Sequence, residues 1–268
     1  MDQKPDFEAR LAKLERDQEL LRGFMLPAYW SLVDRLYART RSPETATCLA
    51  CGFTQKVAKF AKRHDACVFG GAALERLVCP KCGCVFGPLK YLHTPPEVVE
   101  ADYRLLYNHY SEGDSTEQEI RAFHALQPKP GGLYLNWGSG AWSASVDRLR
   151  AEGWDVWGYE PHAEATSPFV VRNKGEISAK FDGVFSNNVI EHLFDPVAQF
   201  AEFKGYLKPD GRMAHASPCY DWLYAFTRFH VFFPMGEAPR RLAERSGFSL
   251  IAAEDDGEFK VRVFQARP

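Results

Sequence analysis

A chain of 268 residues, 46% hydrophobic and 14% aromatic, is long enough for one large or two small domains and carries ample material for a packed core. A formal net charge of -2 argues against the basic face of a nucleic-acid reader, so no nucleic-acid partner is expected. The polar start "MDQKPDFEAR" does not read as a secretory signal, and no apolar run is long enough to cross a bilayer, so the expected location is cytoplasmic.

Residues 7–25, "FEARLAKLERDQELLRGFM", place Phe7, Leu11, Leu14, Gln18, Leu21 and Met25 at alternating four- and three-residue steps. Such a heptad seam serves either an amphipathic helix packed on its own protein or a helix that pairs two copies into a homo-oligomer. Pro27 is expected to stop this helix, and residues 28–40 to form a second. N-terminal helices thus occupy 1–45.

A cysteine module follows at 46–93. Of seven cysteines, four form two pairs, Cys48 with Cys51 in "CLACGF" and Cys79 with Cys82 in "CPKCGCVF". Two Cys-x-x-Cys knuckles let four thiolates converge tetrahedrally, as a structural zinc ion requires. Gly52 and Gly83 permit the tight turns. A redox pair would need one such motif opening a helix, not two in Gly/Pro-marked turns. Cys84, Cys67 and His64 are spare donors, and Cys84 could replace Cys82, whereas Cys219 reads as a buried thiol.

Residues 94–130 read as a helical connector. Pro95 and Pro96 open a helix carrying Tyr103, Tyr107 and Tyr110. "STEQEIRAFHAL" is a second helix, with Ser115 or Thr116 as its N-cap. "QPKPGG" (127–132) is the linker into the last unit, 131–268. There strands and helices alternate. Strands are expected at 133–136, 155–160 and 181–187, with "PFVV" the remnant of one between them, and then at "RMAHAS", "FSLIAAED" and "KVRVFQAR". Helices fall at 143–151, 196–207 and "EAPRRLAERSG". That pattern predicts a parallel sheet with helices on both faces and an antiparallel closing strand.

The stretch "LYLNWGSGAWSASV" runs from a strand through Gly138-Ser139-Gly140 into a helix, and Glu160 stands 22 residues beyond Gly138 at the end of the next strand. An acid there accepts hydrogen bonds from ribose hydroxyls. A dinucleotide loop would have a third glycine where Ser143 stands, and Trp142 would crowd a pyrophosphate. A nucleoside ligand without phosphate, such as S-adenosylmethionine (SAM), avoids both difficulties.

"LNWGSGAWSASVDRLRAEGWDVWGYEP" and "FDGVFSNNVIEHLFDPVAQFAEFKGYLKPDGRMAHASP" resemble the class I SAM-dependent methyltransferases, in the branch whose fourth strand runs into Asn-x-x-Glu-His-Leu. "FHVFFPMGEAPRRLAERSGF" is similar to that branch's later His-containing segment and helix. The Cys-x-x-Cys knuckles followed by a Tyr-x-x-Tyr helix are similar to zinc-bearing methyltransferases of sugar and natural-product pathways. The resemblance implies an α/β, Rossmann-like, mostly parallel seven-stranded sheet, preceded by a helical segment and a small zinc-ribbon-like module. It implies that Gly138 and Gly140 line the methionine moiety and that Glu160 holds the ribose. Asn187, Asn188 and Val189 would lie near the cofactor, with Tyr107 and Tyr110 closing over it. The family's acid-x-Gly-x-Gly-x-Gly appears with Asn136 in place of the acid and Trp142 in place of the last glycine, and no acid for the adenine amino group is evident.

Three functions follow from these residues. The leading one is methyl transfer to a small polar acceptor, a hydroxyl of a sugar, sugar nucleotide or glycan precursor, bound near Tyr107, Tyr110, Tyr220 and Trp222. Its base would be His192, at the carboxyl end of the fourth strand, oriented by Glu191 or Asp195, with His230 second and His215 read as a sheet residue. The alternatives are a catalytically degenerate scaffold subunit, motivated by Asn136, and an RNA methyltransferase, disfavoured by the acidic balance.

Overall fold

The computed structural model describes residues 4–40, 43–70, 73–107, 113–140, 143–162 and 167–267. The first element is one helix, α1 (Lys4–Thr40), 37 residues long and continuous through Pro27. The expected break at Pro27 does not occur. Proline deprives the carbonyl four residues back of its donor, here that of Gly23, which is exposed and can turn to water. The half after Pro27 is held by packing instead. Trp30 is buried, Leu26 and Val33 lie against the core, and a Cβ added to Gly70 would come within 2.6 Å of the Pro27 ring. The half before Pro27 leaves Phe7, Leu14, Leu21 and Met25 each more than half exposed.

The cysteine module consists of a hairpin, β1 (Thr45–Thr47) with β2 (Thr54–Lys56), and a small antiparallel sheet of β3 (Ala61–Asp65), β4 (Leu74–Val78) and β5 (Val85–Phe86). A short helix, α2 (Leu89–Leu92), and then α3 (Pro96–Tyr107) and α4 (Thr116–Ala125) lead out of it. Ser115 occupies the N-cap position of α4 without capping by its side chain. Asp114 does that work, accepting the Thr116 N–H at 2.9 Å.

The large sheet follows: β6 (Leu133–Trp137), α5 (Ser145–Ala151), β7 (Asp155–Tyr159), β8 (Val170–Val171), β9 (Phe181–Asn187), α6 (Pro196–Tyr206) and β10 (Leu207–Ala216). The chain ends with β11 (Phe232–Phe233), α7 (Ala238–Ser246), β12 (Phe248–Asp256) and β13 (Phe259–Ala266). The seven-stranded order is β12-β13-β10-β9-β6-β7-β8, with β13 antiparallel to both neighbours and the remaining pairs parallel. The third strand of the usual pattern survives as two residues, Val170 and Val171. The expected turn at 208–211 is absorbed into β10 as an irregularity between Leu207 and Arg212.

Alternation along the strands divides the core. Tyr134 and Phe185 face α4 and α5, packing with Phe123 and Leu149. Leu135 and Val184 face the opposite side, with Phe200 and Phe203 of α6 and Leu242 of α7. The cysteine module joins that second core and is not set apart by the 127–132 linker. The small sheet takes its fourth strand from β11, pairing Phe232 with Phe86 and Phe233 with Val85.

Candidate functional site

The four paired cysteines converge. Cys48 and Cys82 place their sulfurs 3.6 Å apart, Cys51 and Cys79 theirs 3.5 Å apart, and all four lie within 4.8 Å of one another. Zinc–sulfur bonds of about 2.3 Å in a tetrahedron put sulfurs about 3.8 Å apart, so this donor set fits zinc. The two knuckles are built alike. Gly52 and Gly83, at φ +75° and +78°, donate to the Cys48 and Cys79 carbonyls at 3.0 Å, and the Cys48 and Cys79 N–H groups bond back to Phe53 and Cys84. Burial pushes the Cys79 thiol up to about 11, a penalty on charge that a cation among the sulfurs would relieve. Cys82, not Cys84, enters the cluster; the buried Cys84 sulfur turns to the Val85 carbonyl. Cys67 accepts from Arg228, and Cys219 is fully buried.

The glycine loop lies at the carboxyl ends of β6 and β7. Gly138 and Gly140 adopt φ +73° and +62°. A Cβ on Gly138 would come within 2.7 Å of Val189 Cγ2, so only glycine lets the loop pass the end of β9. Glu160 is buried at the end of β7, where its carboxylate accepts the Gly140 N–H at 3.0 Å and the His162 N–H at 2.8 Å. Asn136, at the position of the family's acid, donates its amide to Glu119 of α4 at 2.5 Å. The same carboxylate oxygen accepts from Ser143 at 2.8 Å and Ser145 at 2.6 Å, and Ser115 donates to the other oxygen at 2.6 Å. Burial raises the Glu119 carboxyl above its ordinary range despite these four donors. A strand-end carboxylate, two left-handed glycines and the buried, unpartnered Asn136 Oδ1 form a set that fits an adenosyl ligand.

Asn187 ends β9, Asn188 takes a left-handed φ of +54° and donates to the Ala216 carbonyl at 2.9 Å, and a one-turn 3₁₀ segment then carries Ile190, Glu191 and His192. Left-handed backbone suits asparagine better than most residues. His192 Nδ1 lies 3.1 Å from the Phe229 carbonyl, and the His192 and His230 rings meet edge to face at 4.9 Å. His230 Nδ1 lies 2.8 Å from the Tyr224 carbonyl. Burial pushes His192 down to about 4, so the imidazole is neutral near pH 7. Asp195 does not orient His192. It caps α6, accepting the Ala198 N–H at 3.0 Å. His215 is buried within β10.

Arg76 and Arg228, which sequence reasoning passed over, and Tyr103, which it placed only on the connector helix, build this side. Arg76 of β4 is fully buried and donates to the carbonyls of Ala225 (2.8 Å), Thr227 (2.6 Å) and His230 (3.0 Å), so the cysteine module holds the loop that carries His230. Arg228 pairs with buried Asp102 of α3 through two bonds of 2.8 and 2.9 Å. Tyr103 sets its ring against His162, His192 and Phe229. Tyr110, Trp142 and the side chain of Tyr107 lie outside the described residues. Tyr220 is buried, and Trp222 meets Phe233 at a tilt with ring centroids 4.8 Å apart while the Arg63 guanidinium lies over its ring.

A family model described as "Methyltransferase domain" matches residues 120–253. Among solved structures, the chain is similar to the 1,6-didemethyltoxoflavin-N1-methyltransferase of Burkholderia thailandensis, solved with 1,6-didemethyltoxoflavin and S-adenosylhomocysteine. That likeness has a TM-score of 0.50 at 16% identity, over 73% of this chain and 96% of that one. Weaker likenesses include the CcbJ methyltransferase of Streptomyces caelestis (TM-score 0.44, 13% identity, 62% and 96% covered) and a SAM-dependent methyltransferase of Mesorhizobium loti (0.42, 16%, 55% and 97%). No curated protein matches the chain in sequence. With the family match spanning half the chain and the sheet order of the fold in place, the chain belongs to the methyltransferase-domain family and is a class I SAM-dependent methyltransferase.

Proposed function

We propose that the protein transfers a methyl group from SAM to a hydroxyl of a small polar acceptor of the sugar, sugar-nucleotide or glycan-precursor class. The observation that carries this reading is the place of His192, between the end of β9 and the loop that Arg76 fixes, with its Nδ1 engaged by the Phe229 carbonyl. Bound SAM supplies an electrophilic methyl on a sulfonium, which is already a good leaving group. The protein's part is to position donor and acceptor and to exclude water. Gly138 and Gly140 would cradle the methionine moiety, Glu160 would accept from the ribose, and Asn187, Asn188 and Val189 would border the cofactor. An Nδ1–H donated to Phe229 leaves His192 Nε2 as the atom that takes the hydroxyl proton. His230, held in the same way by Tyr224, is the second candidate.

Against the degenerate-scaffold alternative stands Glu119, whose carboxyl group lies beside Asn136 at the position of the missing acid. A zinc ion on Cys48, Cys51, Cys79 and Cys82 would be structural, stiffening the module that anchors the 225–230 loop. The exposed seam of α1 supports pairing of two copies, since a continuous helix carries the heptad past Pro27 to Leu32, itself 55% exposed.

The test is a turnover assay with SAM and panels of hydroxyl, amine and carbon acceptors. Methylation of sugar-like hydroxyls, lost in His192→Ala with SAM affinity unchanged, is the expected outcome. Methylation of amine or carbon acceptors alone would overturn the hydroxyl reading. Full turnover in the variant would make His192 structural.

A further inference from the structure

The segment after β9 and the loop that carries His230 bring together a second cluster of donors. We propose that Glu191, His192 and His230 bind a first-row divalent cation, and that this cation holds two adjacent oxygens of the acceptor. Each of the three residues offers a donor atom within 4.8 Å of the others. Two imidazoles and one carboxylate form a donor set that suits such ions and leaves coordination positions open.

The orientation of the rings supports the assignment. His192 and His230 both have Nδ1 within hydrogen-bond reach of a backbone carbonyl, Phe229 at 3.1 Å and Tyr224 at 2.8 Å. Donating Nδ1–H to a carbonyl is how a ligating histidine is commonly fixed, and it leaves Nε2 with its lone pair for the ion.

The backbone is fixed as well. The Val231 N–H donates to the Glu191 carbonyl at 2.9 Å, tying the two ligand-bearing segments together. Arg76 grips the Ala225, Thr227 and His230 carbonyls from the module side. Donors on segments held this firmly need little rearrangement to close on an ion.

The inference rests on the hydroxyl-acceptor reading and narrows it to acceptors with two neighbouring oxygens, such as a vicinal diol. It also changes one role. In the loaded site His192 is a ligand, and the cation acidifies the hydroxyl that it binds. That hydroxyl releases its proton to solvent water. Its oxygen then forms the O–CH3 bond as the S–CH3 bond breaks, and the bonding pair stays on sulfur.

The test uses the full-length protein and Mn2+ alone, a hard ion that leaves thiolates largely untouched. Titration is followed by loss of the free-Mn2+ paramagnetic resonance signal, with SAM affinity measured in parallel as the check of folding. The wild type should bind one Mn2+ per chain. His230→Ala and Glu191→Gln, with SAM affinity kept, should each weaken this by at least about tenfold. Wild-type protein that leaves the free signal as in buffer would overturn the site, as would folded variants that bind Mn2+ like the wild type. Hydroxyl methylation without Mn2+ binding would remove this site and leave the proposed function standing. Mn2+ binding with no hydroxyl methylated would keep the cation and remove the acceptor.

Discussion

Asn136 and Glu119 share a buried hydrogen bond of 2.5 Å that joins the end of β6 to α4, so a carboxyl group from 17 residues upstream lies beside the position where the glycine motif lacks its acid. Glu119 also gathers Ser143 and Ser145, so it holds together the start of α5 and the exit of the loop. Glu119→Ala should take the acceptor from the buried Ser145 hydroxyl and the half-buried Ser143 hydroxyl and leave the Asn136 amide only Ser145, at about 1–3 kcal/mol for each buried group left unpaired. Asn136→Asp alone should also destabilise, by setting two carboxylates side by side, whereas Asn136→Asp with Glu119→Gln restores one carboxylate and one amide. Thermal midpoints and SAM calorimetry for the three variants check this. A double variant no better than Asn136→Asp alone would show that the pair is not interchangeable.

Glu160→Ala should weaken SAM binding by about 1.5–3 kcal/mol, the range for hydrogen bonds to a charged group. Part of that loss would come through the loop, since Glu160 also accepts the Gly140 N–H. Calorimetry that finds an unchanged dissociation constant would remove Glu160 from the ribose site.

Freshly purified protein should contain one zinc bound by the four cysteines. Cys79→Ser should lose the metal and lower the thermal midpoint, because the knuckle loops would then lack their common centre. Elemental analysis and the thiolate bands of cobalt-substituted protein report on this directly. Stoichiometric zinc that survives in Cys79→Ser would place the metal elsewhere.

His215 gives stability a pH dependence. Burial pushes its pKa down to about 3, with Phe200 and Phe203 packed against the ring. The folded chain keeps the ring neutral where the unfolded chain protonates it, so protons favour unfolding. Stability is unaffected above the ordinary value near 6.5 and falls as pH drops from there towards 3, by about 1.4 kcal/mol per pH unit. In His215→Gln, urea midpoints at pH 7, 6 and 5 should decline less steeply than in the wild type. Parallel slopes would show that other groups set the acid limit.

The α1 seam should hold two copies together. Leu14→Asp with Leu21→Asp puts charge at two seam positions that are at least 60% exposed, so the single chain should fold as before while the dimer separates. Light scattering decides the matter. A wild type that is monomeric at every concentration tested would end the pairing proposal.

Much of the large sheet was legible because its signals are local. The strand expected at 181–187 is β9 to the residue, and Gly247, at φ +79°, ends α7 where the sequence put a stop. What was not legible depends on distant partners. The helix passes Pro27 because Trp30 and the contact with Gly70 hold its second half. Nothing local in the sequence marks Glu119 or Arg76; the fold gives the first four hydroxyl and amide donors and the second the carbonyls of Gly87, Ala225, Thr227 and His230. Tyr103 meets His192, a choice of helix face that an isolated repeat of tyrosines does not settle, and the side chain of Tyr107 lies outside the described residues.

The pairing of β5 with β11 separates two events in the making of the chain. All four sulfurs are available once Cys82 has been synthesised, but the strand that completes their sheet, Phe232–Phe233, comes 150 residues later. Through that interval Val85 and Phe86 present an open, apolar edge, and Arg76 lacks the Ala225, Thr227 and His230 carbonyls that join that of Gly87 in the finished fold. Unpaired edges of this kind invite pairing with other chains. A nascent or truncated chain that stops before residue 232 could gather its cysteines and still be unfinished, so the hazard in biosynthesis lies in the wait for β11.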